Sequence, residues 1–404
     1  MWNLYEAAQL RVHGEDILDE AHKFTYNKLK LIVNQLSPSL ADQINQSLVI
    51  PLHKAIPRMR ARSYMSFYEE DPSHDKVLLD FAKLDFNMLQ ERHKKEVGSA
   101  TQWWRKSELA TKVPYVRDRI AELYFCPYTM NSEPKYSTFR GVLSKVSQCL
   151  TVVDDTYDVY GTIEELELFT QAIQSWDISY ITTLPECYKV LFNTIVELCD
   201  EIIELSAGSE ESNLVSQCLK QALSDYIQAY LVEAKWCHEN YIPTYDEYKV
   251  VGAGTSGFLT LILIFIALGG FATKDTLHWI SNNNVPVMVN AVSLVGRLKN
   301  DLSTHKFEQK RKHAVSTVGC CINQYGFSQE EAYEFIEKDI DNYWKDMNEE
   351  YLKLIKYIPR PVLECILNVA RFCEFLYTNF EDKLTNCALF EEQIAALLLD
   401  PVVI

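Results

Sequence analysis

Spacing typical of disulfide frameworks or zinc sites is missing from this chain of 404 residues. Its eleven cysteines never occur as C-x-x-C, and its nine histidines show no ligand spacing with them. Scattered cysteines of this kind are typical of reduced thiols in a reducing compartment. We therefore predict a cytoplasmic protein, and we exclude a disulfide framework and a zinc site.

Positive charge is also scarce. Lys and Arg total 39 against 56 Asp and Glu, which gives a formal net charge of -17. A nucleic-acid surface needs a basic footprint to neutralise phosphates, so a nucleic-acid partner is not expected. An anionic ligand stays compatible with this balance where metal ions mediate the contact.

No apolar run is long enough to cross a bilayer. The longest, from Phe258 to Gly270, has thirteen residues, whereas a spanning helix needs about 20. It predicts a buried core helix, and no transmembrane segment is expected. Charged residues such as Glu6 and Arg11 interrupt the N-terminus, so no signal peptide is visible.

Turn formers are few, with 13 Gly and 13 Pro, and strand-like alternation is rare. Apolar residues recur at helical spacing, as at Ile17, Leu18, Ala21 and Phe24. The pattern predicts an all-α fold with short connections. The best candidate for a linker is the polar stretch from Glu69 to Asp75.

Acidic residues cluster in Asp154-Asp155-Thr156-Tyr157-Asp158. On an α-helix Asp154 and Asp158 would lie one turn apart on a single face, with Asp155 beside them. Such a cluster is either a solvated acidic surface or a site for a hard cation such as Mg²⁺, which takes one or two carboxylates and completes its shell with water and phosphate.

A second set of oxygen ligands, Asn300, Thr304 and Glu308, recurs at i, i+4, i+8 and so follows one helix stripe. An amide, a hydroxyl and a carboxylate suit Mg²⁺ better than zinc. Taken alone, this is also an ordinary polar helix surface. Together with the first cluster it favours a metal site.

Three arginines accompany these clusters: Arg117 and Arg119 upstream, and Arg297 one turn before Asn300. Guanidinium groups bind phosphate oxygens in a bidentate way and stay charged when desolvated. Each arginine alone is as well explained by a surface ion pair. Two metal-binding stripes with three arginines indicate a diphosphate substrate.

These motifs, together with LYEAAQLRVHGEDILDEA from Leu4, FAKLDFNMLQ from Phe81 and LVEAKW from Leu231, resemble those of class I plant terpene synthases. The resemblance is strongest to sesquiterpene synthases and covers essentially the whole chain. It implies an all-α class I terpenoid synthase helical bundle with a partial N-terminal helical domain. It also implies a lyase that ionises a prenyl diphosphate and rearranges the resulting carbocation.

The resemblance further implies three Mg²⁺ ions, with Mn²⁺ as a substitute. Asp154 and Asp158 would hold two of these ions with support from Asp155, and Asn300, Thr304 and Glu308 would hold the third. Arg117, Arg119 and Arg297 would bind the diphosphate. Candidate catalytic residues are Tyr377 and Asp382, which match family positions, and Thr255 in a predicted helix break through Gly257; packing or turn roles are equally compatible with these.

The chain departs from the family in two respects. It begins partway through the usual N-terminal domain, so residues 1–72 are interpreted as a remnant of that domain and 73–404 as the metal-binding catalytic domain. Apolar helix faces are expected to be exposed, which would favour self-association of an otherwise monomeric protein. Cys126 stands at the position of the usual active-site tryptophan, and Leu384 at that of a frequent tyrosine.

Three hypotheses follow. The first is a Mg²⁺-dependent sesquiterpene synthase that uses farnesyl diphosphate. The second is a monoterpene synthase that uses geranyl diphosphate, and pocket volume would decide between the two. The third is a catalytically silent helical binding or interaction protein; the intact metal ligands and arginines argue against it, whereas the missing N-terminal portion argues for it.

Overall fold

The structure, a computed structural model, describes the backbone of residues 1–206, 211–282, 284–308 and 315–404, and the side chains of all of these except residues 306–308. No strand occurs in these ranges, which agrees with the predicted all-α class.

Nineteen α-helices are found in the described ranges. They are α1 (Trp2–Ala7), α2 (Asp16–Ile32), α3 (Pro38–Val49), α4 (Pro57–Glu70), α5 (Lys76–Lys106), α6 (Glu108–Lys112), α7 (Ile120–Met130), α8 (Ser137–Asp155), α9 (Ile163–Ser175), α10 (Glu186–Leu205), α11 (Ser212–Glu239), α12 (Tyr245–Thr255), α13 (Phe258–Leu268), α14 (Lys274–Ser281), α15 (Val287–Glu308), α16 (Thr317–Tyr325), α17 (Gln329–Leu354), α18 (Arg360–Leu376) and α19 (Glu391–Leu398). A π-helical turn (Thr156–Tyr160) follows α8 directly. Short 3-10 turns are Ala8–Leu10, Val33–Gln35, Leu52–Lys54, Pro134–Tyr136, Ile178–Ile181, Thr378–Phe380 and Cys387–Leu389.

Seven helices enclose the centre of the molecule as a ring. Around this ring α7 packs on α8, α8 on α13, α13 on α11, α11 on α12, α12 on α15, α15 on α18, and α18 back on α7. These seven helices supply most of the residues of the large apolar core, and α13 is buried on all sides from Thr260 to Ala267. The predicted buried core helix is therefore confirmed.

A left-handed glycine separates α12 from α13. Gly257 has φ +71°, and a Cβ there would lie 3.1 Å from the Tyr226 ring, so a larger residue would be both strained and crowded. The predicted helix break is confirmed. Tyr245–Leu268 is long and apolar enough to cross a membrane by length and composition, but this break divides it and 61% of its most apolar window is buried.

Helices α1 to α3 form a smaller core of their own, made by Tyr5, Leu29, Val33 and Ile44. Arg11 joins this part to the bundle through an ion pair in which its Nη2 contacts both carboxylate oxygens of Asp341 of α17, at 2.7 and 2.6 Å. The outward face of α2 carries three large apolar residues, Ile17, Phe24 and Leu31, among charged and polar ones.

On that face Ile17 is 82% exposed and Phe24 55% exposed. The segment forms α2, so the helix predicted from its spacing is confirmed. The expected exposure of apolar residues is confirmed as well. The predicted linker is shorter than expected, because Glu69 and Glu70 still belong to α4. At its other end Asp75 is the N-cap of α5, and its side chain accepts from the backbone N–H groups of Val77 and Leu78.

Candidate active site

The helical ring encloses a cavity of about 400 Å³, which lies within the size range of small-molecule sites. Every predicted site residue whose side chain is described lines this one cavity. These residues are Arg117, Arg119, Asp154, Asp155, Asp158, Thr255, Arg297, Asn300, Thr304, Tyr377 and Asp382. Glu308 ends α15, and its side chain lies outside the described residues. Residues as far apart in sequence as Arg117 and Asp382 are therefore brought to one place.

The acidic cluster lies across the junction of α8 and the π-helical turn. Asp154 and Asp155 end α8, and Asp158 is in the turn, where Gly161 N–H bonds back to the Thr156 carbonyl at 2.8 Å. The backbone from Asp154 to Asp158 is therefore α-helical only as far as Asp155, and the spacing that an α-helix would give the two side chains does not apply to Asp158. Such π-helical turns occur often at functional sites.

Asp154 has a specific partner from the opposite helix. The Tyr230 hydroxyl of α11 donates to its carboxylate at 2.5 Å. Burial raises the pKa of Asp154, and the neighbouring charge of Asp155 raises it further. Two close, partly desolvated carboxylates repel each other, so this wall favours a cation.

The second wall is formed by α15. Asn300 and Thr304 follow each other by one turn, as predicted, and both face the cavity. The Asn300 side chain donates to the Tyr377 hydroxyl at 3.3 Å, and Thr304 donates to the Asn300 carbonyl at 3.1 Å. The amide and hydroxyl oxygens are thus held on the side that the sequence pattern predicted.

The loop before α7 carries Arg117 and Arg119. Arg117 forms an ion pair with Asp155, with Nε 3.3 Å from the carboxylate, and its backbone carbonyl accepts from Gln148 at 3.0 Å. Its side chain is 45% exposed. Arg119 is the residue before α7 and also lines the cavity.

Arg297 is much more enclosed, with a side chain only 19% exposed. Its guanidinium donates to the Tyr248 hydroxyl at 2.6 and 2.8 Å and to Thr255 at 3.3 Å. It also pairs with Glu233 at 3.4 Å and Asp301 at 3.2 Å. These close carboxylates outweigh the cost of burial and raise its pKa further, so it stays a cation.

Four residues of this site were missed by sequence reasoning: Tyr230, Glu233, Tyr248 and Asp301. Glu233 lies in the LVEAKW stretch, where a lone acid among apolar residues was an unused signal. Asp301 directly follows Asn300, but it points away from the metal stripe and accepts from the Thr317 N–H at 2.8 Å. The two tyrosines carried no signal.

The three candidate catalytic residues all reach the cavity. Thr255 donates to Glu233 at 3.0 Å. Burial, and then the Asp382 carboxylate, raise the pKa of Tyr377. Asp382 also accepts from the backbone N–H of Leu384 at 2.9 Å, which fixes the loop after α18. Their positions agree with the prediction, while their chemical roles stay predictions.

Away from the polar groups the cavity is apolar. Its lining there comes from α7, α8, α13 and α18, namely Leu123, Cys126, Leu150, Phe258, Leu261, Phe372, Cys373 and Leu376. Burial raises the pKa of Cys126 to about 12, so this thiol is neutral. Leu384 also lines the cavity, so both residues that differ from the family pattern, Cys126 and Leu384, contribute to its shape.

All eleven cysteines are free thiols, as predicted. Among the described residues, no three His, Cys, Asp or Glu side chains form a ready cage for a metal. The cavity instead offers separate oxygen donors on two walls. That arrangement fits Mg²⁺, which binds through one or two carboxylates and completes its shell with water and substrate phosphate.

Comparison with known proteins agrees with this geometry. Residues 105–346 match the family model described as "Terpene synthase family, metal binding domain", and residues 1–48 match "Terpene synthase, N-terminal domain". Sesquiterpene synthase 16 of Solanum habrochaites is 42% identical over 408 residues, covering 100% of both chains.

Two solved structures are similar over nearly the whole chain. Isoprene synthase from grey poplar (Populus x canescens), in complex with three Mg²⁺ ions and dimethylallyl-S-thiolodiphosphate, has a TM-score of 0.89 at 31% identity and covers 100% of this chain and 76% of its own. Limonene synthase with 2-fluorolinalyl diphosphate has a TM-score of 0.93 at 30% identity and covers 99% and 74%. The chain therefore belongs to the terpene synthase family of enzymes.

Proposed function

We propose that this enzyme ionises farnesyl diphosphate in the presence of Mg²⁺ and rearranges or cyclises the farnesyl cation to a sesquiterpene, releasing diphosphate. The observation that carries the proposal is the division of one cavity into two ends. The oxygen ligands and arginines lie at the ends of the lining helices, as with Arg119 before α7 and Asp154 and Asp155 at the end of α8. The apolar side chains, such as Cys126 and Leu150, lie further inside the same helices. A diphosphate ester with a long hydrocarbon tail has the same division.

Asp154, Asp155 and Asp158 on one wall, and Asn300, Thr304 and Glu308 on the other, are the proposed holders of three Mg²⁺ ions. The number of ions is taken from the isoprene synthase complex, which contains three. When bound, Mg²⁺ acts as a Lewis acid that stabilises negative charge on the departing diphosphate.

The arginines share that charge. Arg117, Arg119 and Arg297 approach the polar end from two sides and supply donors that match phosphate oxygens. Arg117 pairs with Asp155 in the structure. Since diphosphate is the stronger anion, we expect Arg117 to turn from Asp155 towards the substrate when it binds.

The apolar end serves the carbocation. Tyr226, Phe258 and Phe372 bring ring faces or edges to the cavity, and aromatic faces attract positive charge most strongly where water is excluded. The neutral thiol of Cys126 adds no charge and leaves room where the family usually has an indole ring. Product shape is therefore expected to depend on this position.

The length of the tail is the open choice within the proposal. The sesquiterpene synthase that matches this chain end to end favours farnesyl diphosphate. The limonene synthase likeness favours the shorter geranyl diphosphate as the second candidate. A cavity of about 400 Å³ is compatible with a small ligand of either size.

The deciding experiment is incubation of the purified chain with farnesyl or geranyl diphosphate and Mg²⁺, with detection of volatile products by mass spectrometry and of released diphosphate. We expect sesquiterpenes from farnesyl diphosphate at a higher kcat/KM, and no product after chelation by EDTA. Higher turnover of geranyl diphosphate would reverse the assignment of substrate. No diphosphate release from either would refute the proposed reaction.

The division of the chain into two parts, its oligomeric state and its compartment belong to the same proposal. We propose that residues 1–72 are an N-terminal helical part and residues 73–404 the catalytic part. The separate small core of α1 to α3 supports this division. We further propose that the enzyme works as a monomer in the cytoplasm with Mn²⁺ as a substitute ion; its free thiols support a reducing compartment.

A further inference from the structure

Glu233 is a buried carboxylate of α11 that lies directly behind Arg297. One of its oxygens accepts from the Thr255 hydroxyl at 3.0 Å, and the other lies 3.4 Å from the Arg297 guanidinium. The same Thr255 hydroxyl lies 3.3 Å from Nη1 of Arg297. The three side chains therefore form a closed triangle between α11, α12 and α15.

Two further side chains complete the surroundings of Arg297. The Tyr248 hydroxyl accepts from Nε and Nη2, and Asp301 pairs with Nε at 3.2 Å. A guanidinium has five N–H donors in a rigid plane. Nε and Nη2 contact Tyr248, Asp301 and Glu233, and one N–H of Nη1 contacts Thr255. The second N–H of Nη1 is therefore left for the cavity.

The two carboxylates near Arg297 differ in how they are held. Asp301 also accepts from the backbone N–H and the hydroxyl of Thr317, so its position is fixed without Arg297. Within the described part of the chain, Glu233 accepts from no backbone N–H, and its carboxylate contacts the side chains of Thr255 and Arg297. Its orientation and that of Arg297 therefore depend on each other.

We propose that Glu233 is a positioning residue: it holds the Arg297 guanidinium so that one N–H direction faces the diphosphate end of the cavity. This inference rests on the proposed function, because it concerns the binding of diphosphate there. Glu233 acts through Arg297 and does not itself line the cavity. It also ties Arg297 to Thr255 at the end of α12, next to the helix break.

A competing role for Glu233 makes the opposite prediction. A carboxylate close to an anion site repels the anion, so its removal alone would tighten diphosphate binding. Glu233→Gln removes the charge but keeps both contacts, because its amide oxygen can accept from Arg297 while its NH2 group donates to the Thr255 hydroxyl. Glu233→Leu has a similar volume and removes both. The two variants therefore separate charge from positioning.

The experiment measures the Kd of inorganic diphosphate by calorimetry at saturating Mg²⁺, together with the melting temperature of each variant. We expect about tenfold weaker binding for Glu233→Leu, the size of one lost hydrogen bond to a charged group, and binding within about threefold of the parent for Glu233→Gln. The matched control is Glu167→Leu, which removes an exposed ion pair with Lys235 of α11 and should bind like the parent.

The dependence on Arg297 is tested by repeating Glu233→Leu in an Arg297→Ala background. There the Glu233 change should have no further effect on Kd, because a residue that acts through another is non-additive with it. If Glu233→Leu does not fold, Glu233→Asp replaces it. The shorter side chain keeps the charge but withdraws from Arg297, so weaker binding is again expected.

Three results would overturn the inference: unchanged affinity with only a lowered melting temperature, tighter binding in both variants, or full additivity with Arg297→Ala. Failure of the proposed function is recognised separately. A parent chain that binds diphosphate but turns over no prenyl diphosphate refutes the reaction and leaves the Glu233 comparison decisive. A parent chain that binds no diphosphate refutes both.

Discussion

The two walls of the cavity are held in different ways. On the α15 wall, Arg297 is enclosed by side chains from α11, α12 and its own helix, and Asp301 anchors that helix to the start of α16. On the α8 wall, Asp158 lies in the exposed half of the π-helical turn, and Arg117 is paired with Asp155 at the edge of solvent. The side chains of the α15 wall are held in place before the ligand binds. On the α8 wall, Arg117 must leave Asp155 to bind the ligand.

This difference separates two kinds of effect. Substitutions on the α15 wall should lower both activity and stability, because they leave buried polar groups without partners. Substitutions on the α8 wall should lower activity with little cost in stability. The comparison thereby distinguishes residues that bind the substrate from residues that shape the site.

The largest effect is expected for Asp154→Ala on the α8 wall. Loss of a metal ligand should lower kcat by at least about 100-fold, since even partners behind a ligand contribute 10- to 100-fold. The melting temperature should change little, because relief of a buried carboxylate offsets the loss of its hydrogen bond from Tyr230. Steady-state kinetics and thermal melting measure the two quantities.

The control for that variant is Asp225→Ala on α11, an exposed aspartate that accepts from Gln221 at 2.8 Å. It should keep the parent activity. If Asp154→Ala retained a rate within a few-fold of the parent, the assignment of the acidic wall to metal binding would be wrong.

An intermediate effect is expected when each arginine is changed to lysine. Arg297→Lys and Arg117→Lys should each lower kcat/KM by roughly tenfold, because lysine cannot bind phosphate in a bidentate way. In urea unfolding, Arg297→Lys should cost about 2 kcal/mol through the buried groups it leaves unpaired. Arg117→Lys should cost less than about 1 kcal/mol, as for exposed ion pairs. Equal losses of stability would contradict the contrast between the walls.

The smallest effect on rate is expected at the apolar end. Cys126→Trp restores a large ring there and should change the distribution of products while the rate stays within about threefold, since no polar contact of Cys126 takes part in ionisation. Gas chromatography with mass spectrometry measures the change. Cys126→Ser, of similar size, should keep the parent distribution. An unchanged distribution in the tryptophan variant would exclude Cys126 from the surface that shapes the product.

The spacing of residues along the chain predicted those features of the structure that depend on neighbours in sequence. The α15 stripe from Asn300 to Thr304 and the break at Gly257 could be predicted because helix periodicity and the special backbone of glycine fix them. The all-α class followed from the same periodicity. The π-helical turn after Asp155 could not be predicted, since the residues that it contacts, such as Tyr115 at Thr156, are distant in sequence.

Partners far apart in sequence explain the rest. Tyr230 meets Asp154 across 76 residues, and Glu233 meets Arg297 across 64. Nothing in the spacing of a single chain links such pairs. In the same way, the periodicity around Phe24 predicted a helix, but whether its apolar face is covered depends on which surface packs against it.

The most direct test of the account is a crystal structure with Mg²⁺ and an unreactive farnesyl thiolodiphosphate. We predict the diphosphate and its metal ions between Asp154 and Asp158 on one side and Asn300 and Thr304 on the other, with Arg297 still in contact with Glu233 and the tail directed towards Cys126. Metal ions bound at only one wall, or a diphosphate outside the ring of helices, would contradict it.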